Sequence, residues 1–423
     1  MKILLVLDNL SSSCGANVGI VYELTKTWME RGCEVYCLAR EDKYHDLDAV
    51  KASNLTKVWT FPVKEDDVLN DVTKNEKWIK SSSIQKAMYM LTHPMFAQKM
   101  IDKKHFESKE IRDEYKRQIE KICAQHSFDA VIAVTEPFYI ADALANAKIQ
   151  ANKYTIMMDP YTNNPSTTER TRPRHLAKEL LVFETSRKIF ALDFVGDDMD
   201  YLPENLAGKR VNFCVPKVER RNGAIESCAG DAVSGEGKGA DSETTEREIT
   251  FVYVGQLYDD IRNPKLMLEL FTKLPENYIL HLYGGGSEKT VTEYQNILES
   301  RLITHGWVSS AESAKAQREA DILINLNNSI RNMLPSKLVE YINTGKPILN
   351  ICQIAKCPSL PYMDKYPMAL SITPDQNIDD MAEKLISFAE DNSGKVLSHD
   401  KVESLFENCI SDYVADIMLR EMY

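Results

Sequence analysis

The hydrophobic positions of this chain switch repeatedly between two periods. Lys2–Leu7 is a continuous apolar run, the pattern of a parallel strand buried on both faces. A polar loop from Asp8 to Asn17 follows. Over Val18–Arg31 the residues Val21, Leu24 and Trp28 recur at helical spacing, and Gly32 supplies the stop. Glu34–Ala39 then reads as a second strand. This β-loop-α-β order predicts the start of a doubly wound sheet. Ala130–Val134, Tyr154–Met158 and Lys188–Leu192 are further predicted strands, with a helix over Tyr139–Ala147 between the first two.

The alternation restarts at Ile249. Strand Ile249–Val254, a turn at Gly255, a helix from Pro264 to Leu274, strand Tyr278–Tyr283 and the turn Gly284–Gly286 follow in order. A helix at Thr292–Ser300, a strand near Ile303, a helix at Ala311–Glu319 and strand Asp321–Leu326 continue the series. The last segment, Val402–Met422, reads as one helix with a broad apolar face formed by Val402, Leu405, Phe406, Ile410, Val414, Ile417 and Leu419. Between the halves, residues 222–247 are rich in Gly, Ser, Thr and acidic residues and nearly devoid of large apolar ones, which predicts a disordered insertion. With 423 residues, two domains are expected: 1–215 and 248–400.

Composition narrows the function. A formal charge of −12 argues against general nucleic-acid binding. Nine cysteines without paired spacing suggest reduced thiols in the cytoplasm and no zinc site. Asp8 ends the first apolar run too early for a signal peptide or a membrane span. Asp197, Asp198 and Asp200 are read as a solvated acidic cluster, so no metal is expected.

The most informative stretch is Leu334–Leu349. Pro335 and Ser336 are helix-start chemistry; Leu338, Tyr341 and Ile342 make one apolar face; Gly345 and Pro347 end the helix before a buried strand. Ser336 and Lys337 are thereby expected on the first turn, with Glu340 one turn on. A lysine at a helix start is electrostatically unfavourable unless an anion joins it, and a diphosphate meets that need. A carboxylate at Glu340 can accept hydrogen bonds from a ribose diol.

The same residues resemble the donor-binding signature of GT-B glycosyltransferases, especially the retaining, family 4-like enzymes of bacterial surface-polysaccharide synthesis. The match is Pro335, Ser336, Lys337, Leu338, Glu340, Tyr341, Gly345, Lys346 and Pro347. It covers 249–351 well and the N-terminal half in outline. Two positions depart from it: Asn332 stands where a second Glu is usual, and Gln256 where an Arg is usual. Arg262 falls close to the place of the family's phosphate-binding Lys. The resemblance implies two Rossmann-like domains facing a cleft and closing over the donor, with a C-terminal helix, about 402–423, packed back on the first domain. It also implies that Arg262 and Lys337 stabilise the leaving diphosphate, without a metal or other cofactor. Glu340, Ser336, Asn332, Gly255 and Gly285 would line the donor site. Trp307 is read as a core residue, with stacking on the nucleobase as its alternative, and Gly15 belongs to a loop that resembles the family's glycine loop. Glu136 and Asp159 follow predicted strands and are candidate bases for an acceptor hydroxyl. Among His93, His126 and His175 no catalytic histidine is singled out. Residues 77–106 carry six lysines and one acid, Asp102, interleaved with apolar side chains. They are a candidate contact with the inner face of an anionic membrane that carries a lipid-linked acceptor.

The expected activity is transfer of a sugar from a nucleotide diphosphate sugar to a glycan or lipid-linked glycan. The expected location is the cytoplasm or the cytoplasmic membrane face. Two alternatives remain on this reading: a sugar-nucleotide epimerase on the same scaffold, and a non-catalytic subunit that binds a partner enzyme or glycan.

Overall fold

In the computed structural model, the described residues are 1–8, 16–41, 55–62, 83–93, 108–135, 137–220 and 247–423. They divide into two compact units, Met1–Pro216 with Ser411–Tyr423, and Lys217–Ile410. The 222–247 insertion, apart from its last residue, lies outside the described residues, as do Gly15 and Glu136 and most of 77–106.

In the first unit, the described residues form a parallel seven-stranded sheet from β1 (Lys2–Val6), β2 (Glu34–Glu41), β3 (Lys57–Pro62), β4 (Ala130–Val134), β5 (Asn152–Met157), β6 (Lys188–Leu192) and β7 (Arg210–Phe213). Its order is β3-β2-β1-β4-β5-β6-β7. The apolar runs explain the centre: β1 and β4 are buried on both faces, because helices cover both sides of a parallel sheet. β3 is largely exposed and alternates weakly, which is why its sequence did not predict it. The helix Tyr139–Asn146 packs on the sheet with all but its last residue buried. Asp198 is buried, not solvated: its carboxylate accepts a 3.0 Å hydrogen bond from the Asn163 amide. Among the described residues no group of three or more His, Cys, Asp or Glu is placed to hold a metal ion, and no helix is long and apolar enough to cross a membrane.

In the second unit, the described residues form a parallel six-stranded sheet: β8 (Ile249–Val254), β9 (Tyr278–Tyr283), β10 (Leu302–Gly306), β11 (Ile322–Leu326), β12 (Ile348–Ile351) and β13 (Ala369–Ile372), in the order β10-β9-β8-β11-β12-β13. Its core is built on Phe251, Leu280, Ile322, Ile324, Leu349 and Ile351, with Met267 and Leu270 from one helix and Leu385 and Ala389 from another. Burying side chains of this size stabilises by roughly 1.5–3 kcal/mol each.

The predicted single helix over Val402–Met422 is two helices. His399–Leu405 ends at Phe406, a short 3-10 turn spans Glu407–Cys409, and a second helix runs over Ser411–Met422. The apolar face is continuous in sequence but serves two cores. Residues to Ile410 belong to the second unit, where Val218 and Ile410 form an isolated β-bridge. The second helix belongs to the first unit. There the Trp28 indole N–H donates to Ala415 O at 3.2 Å, and Thr27 donates to the Asp412 carboxylate at 3.0 Å.

Candidate functional site

In both sheets the strand order reverses next to the first strand, and in the second unit the reversal lies between β8 and β11. Loops leaving two such strands at their carboxyl ends diverge and leave a crevice for a ligand. Here these loops are residues 255–264 and 327–337, and they are tied together. Ser329 N donates to Ile261 O at 2.7 Å, and Ser329 Oγ to Asp260 O at 3.0 Å.

Arg262 sits in the first loop, half-buried. Its Nε donates to Asn328 Oδ1 at 3.0 Å and its Nη1 to Gln256 O at 3.4 Å. Among the described residues it has no carboxylate partner; Asp260 instead accepts from the amide of Ile261 at 2.8 Å. Asn328 is buried and fixes the guanidinium while its own amide donates to Met333 O at 3.0 Å. The sequence reading passed over Asn328. It lies 66 residues from Arg262, so only the fold shows that the two meet.

Glu340 lies on the helix Leu338–Thr344. The helix begins three residues later than expected from Pro335: Pro335 O accepts Leu338 N at 3.1 Å, which makes Ser336 and Lys337 a turn that leads in. Ser336 is exposed. Leu338, Val339, Tyr341 and Ile342 are buried. The Tyr341 hydroxyl accepts from Val254 N at 3.1 Å, so it locks the helix to the end of β8 and leaves its neighbour Glu340 on the other side. Gly345 closes the helix at φ 72°; a Cβ there would stand 2.4 Å from Leu397 O, so only glycine fits. Lys346 points away from the site and donates to Ala320 O at 2.6 Å.

Each oxygen of Glu340 meets a lysine. Lys337 Nζ lies 2.5 Å from Oε2 and Lys217 Nζ 2.6 Å from Oε1. Burial alone would raise the carboxyl's pKa, but these two hydrogen-bonded ammonium groups outweigh it and hold it below its ordinary value. Lys337 is therefore engaged by a carboxylate. Lys217 was not anticipated: it lies 123 residues from Glu340, and no local pattern signals the pairing. Asn332 is buried in the second loop.

The glycine turn is a packed junction. Gly284 and Gly286 have φ of 127° and 100°, and a Cβ on either would stand 2.0 Å from Gly255 O or 2.1 Å from Leu257 O. Gly284 N donates to Gly306 O at 2.8 Å, and Leu257 N to Gly285 O at 2.8 Å. Beside this junction lies a cavity of about 230 Å³, walled by Gly255, Tyr283, Gly284, Gly286, Thr292 and Thr304 among others. Whole-ligand pockets run to about 300–1,000 Å³, so this one suits a single ring rather than a complete nucleotide sugar. Its rim adjoins Arg262: a Cβ on Gly255 would stand 3.7 Å from Nη1.

Trp307 is not in the core. It is 71% exposed, and its indole nitrogen would be 2.9 Å from a Cβ on Gly285, so a bare backbone lets the ring lie there. Asp159 is half-buried in the loop after β5, in the first unit. His175 is buried, with Nδ1 2.9 Å from Thr167 Oγ1, while His93 and His126 are exposed. The structure thus gathers Arg262, Lys337, Glu340, Gly255 and Gly285 in the second unit, together with Asn332, and Trp307 beside the glycine turn.

Neither a family model nor a curated protein sequence matches the chain. Solved structures do. The apo form of the lipopolysaccharide outer core galactosyltransferase WaaB matches 100% of this chain and 99% of its own length, at 16% identity and a TM-score of 0.61. The chain has the GT-B fold. Anabaena HepE in complex with UDP matches 99% of each chain at 11% identity and a TM-score of 0.58. A putative UDP-N-acetylglucosamine 2-epimerase from Listeria monocytogenes is similar over 99% of this chain and 94% of its own, at 10% identity and a TM-score of 0.54. At such identities the GT-B likeness is one of architecture, and the chemistry rests on this chain's own residues.

Proposed function

We propose that this protein is a glycosyltransferase that moves a sugar from a nucleoside diphosphate donor to a glycan or lipid-linked glycan, with retention of configuration, in cell-surface polysaccharide synthesis. The observation that carries the reading is the pair of lysines, Lys217 and Lys337, on the single carboxylate of Glu340, with Arg262 in the loop at the strand-order reversal and held by no carboxylate among the described residues. A diphosphate would supply the negative charge this group lacks. Arg262 offers a bidentate fork to phosphate oxygens, pre-oriented by Asn328, and Lys337 is the second contact to the leaving group. Each carboxylate oxygen of Glu340 has room for a second donor, so it can hold a ribose hydroxyl without releasing both lysines. Ser336, Asn332, Gly255 and Gly285 border the path of the diphosphate and sugar. The single-ring cavity is the place for the base, with Trp307 beside it. Asp159 and Glu136 are the candidate bases for the acceptor hydroxyl. The exposed Met88 (63%) and Leu91 (82%) on the helix Ser83–Thr92 favour contact of this region with a membrane surface at the cytoplasmic side.

The test is a thermal-shift panel of nucleoside diphosphates and their sugars. A ligand at one hundred times its Kd should stabilise by about 2.7 kcal/mol, a readable upward shift in Tm. No shift with any member, in the intact protein, removes the donor-site reading. The likeness to an epimerase supports one rival, a sugar-nucleotide epimerase. Incubation with the stabilising nucleotide sugar alone separates the two, since an epimerase yields a new sugar nucleotide without an acceptor.

A further inference from the structure

Between β12 and the short helix Leu360–Met363 the chain runs through a loop, residues 352–359, that carries two cysteines. Both are free thiols, Cys352 fully buried and Cys357 4% exposed. The loop is pinned at both ends: Cys352 N donates to Ile372 O at 2.8 Å, and Leu360 N to Cys357 O at 3.1 Å. Between the pins, Ala355 and Lys356 are exposed. The two sulfurs are close enough to share a hydrogen bond. Polar groups gather around them. Asn350 Nδ2 donates to Cys352 Sγ at 3.6 Å, and Ser359 Oγ lies 3.3 Å from Cys357 Sγ. Cysteines kept only to fill an apolar core need no such partners.

The surroundings treat the two thiols differently. The Cys352 S–H stabilises a thiolate at Cys357 and, with Ser359, pulls its pKa down to about 7 despite burial. Cys352 is pushed up by the same hydrogen bond and by burial. Geometry points the same way: Cys357 follows the exposed Ala355 and Lys356 and keeps 4% exposure, whereas Cys352 is fully buried, so Cys357 is the sulfur placed to attack and Cys352 the one placed to resolve.

We propose that Cys352 and Cys357 form a redox-active dithiol that a low-molecular-weight disulfide converts to an intraloop disulfide. In the first step the Cys357 thiolate attacks one sulfur of the small disulfide; the S–S bond breaks and one small thiolate leaves. In the second, Cys352 gives its proton to that thiolate or to solvent and attacks the Cys357 sulfur; the second small thiol leaves. Two protein thiols are oxidised and one disulfide is reduced to two thiols. The loop also reaches the candidate donor site, because Gln353 Nε2 donates to the carbonyl of Asn263, the residue after Arg262, at 3.1 Å. The exchange itself does not depend on the proposed transferase activity.

The full-length reduced protein is incubated in glutathione buffers of rising disulfide fraction, quenched with an alkylating agent, and mapped by tryptic mass spectrometry. Lys356 separates the two cysteines, so the bond appears as a linked pair of peptides. That pair should form at a lower disulfide fraction than any other cysteine link, with unchanged circular dichroism, and vanish on reduction. Cys352→Ser should accumulate a glutathione adduct on Cys357, whereas Cys357→Ser should leave Cys352 free. The proposal fails if the wild-type protein keeps both thiols in fully oxidising buffer. It also fails if the link forms only as circular dichroism is lost, or if other cysteines oxidise first.

Discussion

The two units share a central strand order and differ in electrostatics at the point where that order reverses. In the first unit, Asp8 follows β1 and is met by its own protein. Arg40 grips both carboxylate oxygens at 2.7 Å, and the Tyr139 hydroxyl donates to one of them at 2.6 Å. The Tyr115 hydroxyl donates to Leu7 O at 2.8 Å. One cation answers one anion, and both are largely buried. In the second unit Lys217 and Lys337 share the Glu340 carboxylate, while Arg262 is held by the neutral oxygens of Asn328 and Gln256. The same topology therefore carries one paired cation and anion in the first unit and, in the second, a carboxylate shared by two lysines beside an arginine held by neutral oxygens. Topology says where a ligand fits; the pairing of charges says which of two equivalent crevices wants an anion.

The largest effect that could break this contrast is on turnover. Arg262→Ala should lower kcat with a nucleotide sugar by about 10²–10³-fold while leaving the melting temperature nearly unchanged, as expected for a donor aimed at developing charge. A steady-state assay beside a melting curve checks both halves. If Tm falls and turnover survives, Arg262 is structural like Arg40. Arg40→Ala should do the reverse. It leaves Asp8 buried beside Tyr139 without its cation, at a cost of roughly 2–3 kcal/mol in denaturant unfolding, with nucleoside diphosphate affinity intact.

A smaller effect sharpens the role of the shared carboxylate. Glu340→Gln should weaken nucleoside diphosphate binding by about tenfold, or 1.4 kcal/mol, read by calorimetry. The same variant carries a pH signature. The folded-state pKa of Glu340 is depressed, so its stabilising contribution is complete above the ordinary glutamate value of 4.5 and is lost as pH falls through the lower folded value. The Tm gap between wild type and Glu340→Gln should be constant near neutrality and shrink only below pH 4.5. A gap that closes at higher pH would mean the lysines do not hold the carboxylate. The smallest expected change is at Trp307. Its exposure predicts a stability loss within about 0.5 kcal/mol for Trp307→Ala, with a drop in nucleotide affinity of a few-fold if the indole stacks on the base.

Much of the architecture was legible because buried parallel strands are compositionally loud. β1, β4, β8 and β11 are dominated by Ile, Leu, Val, Ala and aromatic residues, and the glycines at 32 and 345 mark helix ends with positive φ. Two edge strands were not: β3 and β13 keep several positions exposed or half-exposed and so lack a long apolar run. The break at Phe406–Ile410 was hidden for another reason. No Gly or Pro stands there, and the helix stops because its two halves are buried in different cores. The site divided in the same way. Glu340 and Lys337 were readable from one short motif, whereas Lys217 and Asn328 became visible only as spatial neighbours.

By itself, the order of residues determined the two α/β halves, the helix that carries Glu340, and the glycines at 32 and 345 that end helices at positive φ. These depend on periodicity and on backbone sterics, which act over a few residues. Only the tertiary structure decided which charges meet, that Trp307 lies on the surface, and that one apolar stripe is shared between two cores. Those outcomes depend on distances across the sheet between residues far apart in the chain, where burial and Coulomb attraction act without regard to sequence separation.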